Sequence, residues 1–293
     1  MDGMHHHGHS GGGVPGTAPT GLVLVLVLVA VAGGYLAAVH RVRRRNPARG
    51  WQTRRTVLLF TALALLAVAL LPPLARAAHA DFRGHMAQHL LIGMYAPLAL
   101  VLAAPGTLLL RALSPPHARR ITALLHSRAA RILARPSVAL TLSTGTLVPL
   151  YFTGLYNTAA AHPAGHWLLH AHFLASGCLF VHAIAGPDPS PARSDVRGRL
   201  VCLGIAIAAH ALIAQAMYGG FYTDIHAPVD QVQQGAEIMY YGGDIAELLL
   251  AGALVTTWRP RRRRPGTPAP PPGRWRASPP TPHEAAGSGH AVA

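Results

Sequence analysis

GLVLVLVLVAVAGGYLAAVH, residues 21–40, carries no charge, and RVRRRNPARGWQTRR, residues 41–55, follows it with seven arginines. A bilayer core of about 30 Å needs about 20 mostly apolar residues to cross as a helix. The first stretch meets that rule and the second stops it. Six more stretches are long and apolar enough: 56–74, 84–104, 136–157, 165–186, 198–220 and 233–257. A half-exposed soluble helix would alternate polar and apolar faces, whereas the first three stretches are apolar nearly all round. Only 12% of the 293 residues are charged, against about 25% in soluble domains. The expected fold class is all-α, a polytopic membrane protein built as a seven-transmembrane helix bundle.

Charge supplies the orientation. All 25 basic residues are arginine, and the net charge is +15. Seven arginines fall in 41–55, six in 105–135, three in 187–199 and seven beyond 258, leaving only Arg76 and Arg83 on the other connections. Basic residues stay cytoplasmic, which puts the N-terminus outside and the C-terminus inside, and seven spans give the same parity. Arginines that flank spans do not form a nucleic-acid groove, so no nucleic-acid partner is expected. The span at 21–40 reads as an uncleaved anchor, since no basic region precedes it. Three regions result: a His/Gly-rich extracytoplasmic arm (1–20), the transmembrane domain (21–257) and a basic Pro-rich cytoplasmic tail (258–293) expected to be disordered. Segment 105–135 places Ile121, Leu124, Leu125 and Ile132 among arginines, the pattern of a helix lying in the inner interface. Membrane lipid is therefore an expected partner. Cys178 and Cys202 lie in apolar runs and suggest neither a disulfide nor a metal clip.

Nineteen histidines are the unusual feature of the composition. With this orientation twelve fall on the outer side: His5, His6, His7, His9, His79, His85, His89, His162, His166, His170, His172 and His226. His85 and His89 are four residues apart, on one helix face and about 6 Å apart along the axis. His166 and His170 repeat that spacing. Two such pairs at similar depth can converge on one ion; imidazole suits copper and zinc, and a thioether from Met86 or Met94 favours Cu(I). His172 points about 200° away from His170. Single membrane histidines are commonly hydrogen-bonded packing residues, so the paired spacing carries the metal reading. The arm at His5–His9 could bind metal as well.

Acids in the last span are a second signal. Asp244 and Glu247 lie about 16–21 Å below its outer end, at a depth like that of His210. A charge there is costly unless paired or wetted. His210, Asp244 and Glu247 could form a proton or ion relay, or a structural pair.

Span three reads GHMAQHLLIGMYAPLALVLAAPGTLLLRAL, span five and its exit HWLLHAHFLASGCLFVHAIAGPDPSPAR, and span seven opens DQVQQGAEIMYYGGDIAELLL. These resemble the HM-x-QH…AP, H…HF…G-DP-P-R and D-Q…GG-x-I-M-W stretches of CtaG-type cytochrome c oxidase (caa(3)-type) assembly factors. The resemblance covers roughly residues 50–257. Tyr240 or Tyr241 stands where Trp is usual, and Ala236 replaces the second Gly. The resemblance implies a plasma-membrane, multi-pass factor that matures a copper–haem oxidase of the respiratory chain, with a cytochrome c oxidase subunit as partner. Its implied role is copper handling. His85, Met86, Gln88 and His89 match the first motif, His170 or His172 the second, and Asp230 with Gln231 the third. The expected metal-site set is thus His85, Met86, His89, His166, His170, His172 and Asp230, with copper as the ion and Cu(I) favoured.

No nucleophile elbow, HExxH or phosphate loop is present, so a non-enzymatic role is expected. Three other classes compete with a metallochaperone. A haem-binding electron carrier needs opposed axial histidines, which i,i+4 pairs on one helix do not supply. An ion or copper transporter would use His210, Asp244 and Glu247. A metal-free scaffold would need none of the histidines.

Overall fold

The molecule is seen in a computed structural model that describes residues 17–188 and 195–257. The His5–His9 arm, the end of the GPDP exit and the tail beyond 257 lie outside the described residues. Everything described is helix or connection. The elements are α1 (Thr17–Arg45), α2 (Thr53–Leu70), α3 (Leu74–Ala80), α4 (Phe82–Leu90), a π-helical turn (Leu91–Tyr95) and α5 (Ala96–Leu102). Then come α6 (Pro105–Ala112), α7 (Pro115–Leu125), α8 (Arg128–Leu133), α9 (Pro136–Leu140), a second π turn (Thr141–Gly145), α10 (Leu147–Phe152) and α11 (Leu155–Ala160). Three long helices close the described chain: α12 (Pro163–Ala185), α13 (Val196–Tyr218) and α14 (Val229–Thr257).

Six of these runs are long and apolar enough to cross a membrane: Gly21–Arg45, Thr53–Leu70, Phe82–Leu102, Pro163–Ala185, Val196–Tyr218 and Val229–Thr257. The described residues are all helix and connection, and the chain is a multi-pass membrane protein. The remaining expected span, 136–157, fourth in chain order, is not one rod. It is α9, a π turn, α10 and the start of α11 in succession. Its sequence explains the breakage. Thr141 Oγ1 donates to the Ser137 carbonyl at 3.1 Å and Thr146 Oγ1 to the Leu142 carbonyl at 2.9 Å, and such back-bonding bends helices. Gly145, Pro149 and Gly154 add weak points. Segment 105–135 likewise forms three short helices instead of one. Among them α7 and α8 bury no residue.

Proline also shapes the third span. Pro97 has no N–H and would crowd the carbonyl four residues earlier, that of Gly93. The helix answers with a π turn, in which the Ala96 N–H reaches back to the Leu91 carbonyl. The Gly93 carbonyl then lies so close to Gly177 of α12 that a Cβ there would collide with it. Glycine at 177 is what lets the two spans meet. The core around the candidate site gathers Phe82 and Met86 (α4), Tyr151 (α10), Phe173 (α12), Met217 (α13) and Met239 (α14), all buried.

Asp188, in the exit after α12, accepts from the backbone N–H of Gly106 at 3.0 Å and of Thr107 at 2.8 Å. A carboxylate at a helix N-terminus satisfies otherwise unpaired donors. The aspartate of the GPDP stretch is thereby a cap for α6.

Candidate functional site

The start of α4 is fixed from two directions. Asp81 is the N-cap and accepts from the Arg83 N–H at 2.8 Å. Its carboxylate also receives the Arg83 guanidinium, with Nε at 2.8 Å from Oδ2. That guanidinium holds the Asp81 carboxyl below its ordinary range. From α14, Gln231 Oε1 accepts the Phe82 N–H at 3.3 Å and Gln234 Oε1 accepts from Arg83 at 2.9 Å. Gln231 of the D-Q motif therefore works by anchoring α4, the helix that carries HM-x-QH.

Anchored in this way, α4 presents His85, Met86, Gln88 and His89, all buried. His85 Nε2 lies 3.2 Å from the Tyr151 hydroxyl, which is also 3.9 Å from Met86 Sδ. Tyr156 stands against His85 at 4.7 Å between ring centroids. Gln88 bridges two spans: its Nε2 donates to the Ala69 carbonyl at 2.8 Å, and its Oε1 meets His170 Nε2 at 3.0 Å. On α12 the His166 and His170 rings are 6.2 Å apart, and His79 from α3 packs on His166 at 4.4 Å. The Nδ1 atoms of His166 and His170 are buried and have no hydrogen-bond partner. His79, His85, His166 and His170 thus gather where α3, α4 and α12 meet. The connection between α13 and α14 is tied down beside them: Asp224 N–H donates to the Tyr151 carbonyl at 3.2 Å, and Asn157 donates to the Asp224 carbonyl at 3.0 Å.

One turn further along α4, His89 faces a different place. It packs on Phe173 at 4.3 Å and lines a cavity with Met94, Ser176, His210 and Glu247. His210 Nδ1 and Glu247 Oε1 are 3.7 Å apart, too far for a direct hydrogen bond.

The expected metal-site residues therefore separate. His85, Met86, His166 and His170 share a neighbourhood. His89 belongs to the cavity. His172 turns away, as its spacing predicts, and meets Thr146 Oγ1 at 2.9 Å. Asp230 is exposed in the first turn of α14. Of the expected relay, His210 and Glu247 come together, while Asp244 stays half-exposed. Among the described residues, no group of three or more His, Cys, Asp or Glu side chains is arranged to hold a metal. Sequence reasoning passed over His79, Tyr151 and Tyr156 as neighbours of the cluster. His79 was visible as an outer histidine, but nothing in its spacing pointed to His166.

Comparison with known proteins settles the family. The model of the cytochrome c oxidase caa3 assembly factor family matches residues 33–261. The chain belongs to that family. An uncharacterized protein of Mycobacterium bovis is 32% identical over 255 residues, covering 80% of this chain and 38% of its own length. An uncharacterized protein of Mycobacterium leprae is 30% identical over 244 residues, covering 77% of this chain and 37% of its own length. The chain thus spans less than two fifths of the curated relatives it matches. No solved structure matches it.

Proposed function

We propose that this family member helps assemble a haem–copper cytochrome c oxidase by binding Cu(I) at the outer membrane face and passing it to an oxidase subunit. It acts in the plasma membrane, without catalysis, with its N-terminus outside and its C-terminus in the cytoplasm. The observation that carries the reading is the gathering of His79, His85, His166 and His170 with Met86 nearby. The two unpartnered Nδ1 atoms on α12 supply donors that no protein group uses. Imidazole and thioether are the ligand types Cu(I) prefers, and it accepts as few as two. A set this open suits an ion that is to be released. Arginine placement supports the orientation.

The test is competition for Cu(I) against a chromophoric chelator, using purified protein. His85→Ala combined with His166→Ala and His170→Ala should weaken binding by more than about 100-fold, beyond the roughly 10–100-fold of an outer-shell change. Unchanged affinity would reject the site. A metal-free scaffold is the second reading. It is favoured by the contacts of His85 with Tyr151 and of His170 with Gln88, which satisfy those rings without an ion. It predicts that the triple variant still yields active oxidase in cells lacking the native chain.

A further inference from the structure

Three residues that line one cavity inside the bundle each carry a buried polar atom without a hydrogen-bond partner: His89 Nδ1, His210 Nε2 and Glu247 Oε2. The residues are 6%, 4% and 3% exposed, and they come from α4, α13 and α14. Inside a membrane, a polar atom that meets neither protein nor water is costly. Three such atoms around one space point to a shared ligand. The cavity measures about 40 Å³, room for two or three waters at ~10–15 Å³ each.

The room is built into the chain. Both π turns border it, through Gly93 on one side and Thr144 on the other. A Cβ at Gly243 of α14 would run into the His210 ring. Two hydroxyls share the lining. Ser176 Oγ donates to the Phe173 carbonyl at 3.4 Å, which leaves its oxygen free to accept, and Thr144 is buried beside it. A buried water needs two to four polar partners, and this lining supplies five side chains that can serve.

We propose that this cavity is an internal hydration site, in which ordered waters bridge His89, His210 and Glu247 and so join α4 to α13 and α14. The proposal goes beyond the outer cluster and does not depend on copper. A neutral ligand fits the lining and an ion does not. Among the described residues, no group of three His, Cys, Asp or Glu side chains is arranged to hold a metal. No arginine lines the cavity, so an ionised Glu247 would have no fixed cation beside it, and an uncompensated charge within a membrane is costly. Water both donates and accepts, so it serves a carboxyl and two imidazoles whichever of them carries the proton. The 3.7 Å between His210 Nδ1 and Glu247 Oε1, too long for a direct bond, is the kind of gap that a water closes. Bridging waters are nearly as good as direct hydrogen bonds. The helix that carries HM-x-QH is thereby tied to the last two spans by exchangeable bonds.

The experiment is radiolytic labelling of the purified full-length chain in oxygen-18 water, read by mass spectrometry. Waters held inside the bundle are split in place and label the side chains beside them. His89 and His210 should be labelled despite their burial. Met217 and Met239 are the internal controls, since both are fully buried, neither lines the cavity and methionine oxidises readily. Histidines no more labelled than these methionines overturn the proposal. Thermal unfolding in detergent gives a second readout with the opposite sign for a dry cavity. Glu247→Leu removes a bridging partner, so it should lower the melting temperature and reduce the His210 label. A dry cavity would instead be relieved of an unsatisfied carboxyl, and a raised melting temperature overturns the proposal. Glu247→Gln keeps shape and polarity, and it should retain the label. If Glu247→Leu does not fold, wild type and Glu247→Gln still decide: label on both histidines in each supports the site, and label on neither rejects it.

Discussion

His85 and His89 stand one turn apart on the same helix, yet they live in different chemistry. Around His85 hydrogen bonds join the spans, Tyr151 meeting His85, Gln88 meeting His170 and Gln231 meeting the helix start, and only the Nδ1 atoms of His166 and His170 are left without a partner. Around His89 the polar groups are not joined in this way, and the space is held open by glycines and π turns. The first neighbourhood is joined by hydrogen bonds between spans. The second depends on close backbone approach. Identical side chains at i,i+4 spacing therefore say little about function until the neighbouring helices are in place.

The contrast predicts different sensitivities. The largest effect should come from Gly177→Ala, whose new Cβ would meet the Gly93 carbonyl and Pro97. Backbone cannot swing aside, so a loss of about 3 kcal/mol is expected, near the top of the overpacking range. Gly204→Ala is the control, since nothing lies within 4 Å of that position and replacing a helical glycine should be neutral or stabilising. Thermal unfolding in detergent compares the two; equal melting temperatures would show that α12 does not need the close approach.

Gln88→Leu breaks the outer neighbourhood. It strips the Ala69 carbonyl and His170 Nε2 of a shared partner, at about 2 kcal/mol, within the usual cost of unsatisfied buried groups. The same unfolding assay reads it, and a silent variant would mean that water replaces the glutamine. Tyr151→Phe is milder, at about 1 kcal/mol for one hydrogen bond. Because the lost hydroxyl lies between His85 Nε2 and Met86 Sδ, the variant should bind Cu(I) more tightly than wild type in chelator competition. Weaker binding would make the phenol a ligand instead of a competitor.

Smallest is the effect at Asp81. Arg83 lowers its carboxyl in the folded chain relative to an unfolded one. The interaction therefore contributes above the unfolded value of about 3.9 and is lost as pH falls through the folded value. Wild type should lose slightly more stability than Asp81→Asn on acidification below about pH 4. Parallel pH profiles would show that the exposed pair contributes nothing.

Much was legible before any coordinates. Six of the expected spans sit within a few residues of their helices, because length and hydropathy alone decide what can cross a membrane. Depth left Asp244 and Glu247 both open as the acid facing His210, and packing brings Glu247 to 3.7 Å from it. The break at 136–157 was not legible. Its apolar content suits a span, while threonine back-bonding and weak points at Gly145, Pro149 and Gly154 act locally and escape a hydropathy count. Nor could spacing show that His89 parts from His85. Both share a face of α4, and only the neighbours distinguish them.

Residue order by itself determined that this chain is helical and membrane-embedded, that its histidines come in i,i+4 pairs, and that it resembles the oxidase assembly factors. Those are properties of composition and short-range periodicity. Which imidazoles meet, which acid faces them and where space is left were decided by the packing of α4, α12, α13 and α14. Contacts between residues far apart in the chain, 149 positions for Phe82 and Gln231, depend on glycine approaches and helix breaks that no local pattern encodes.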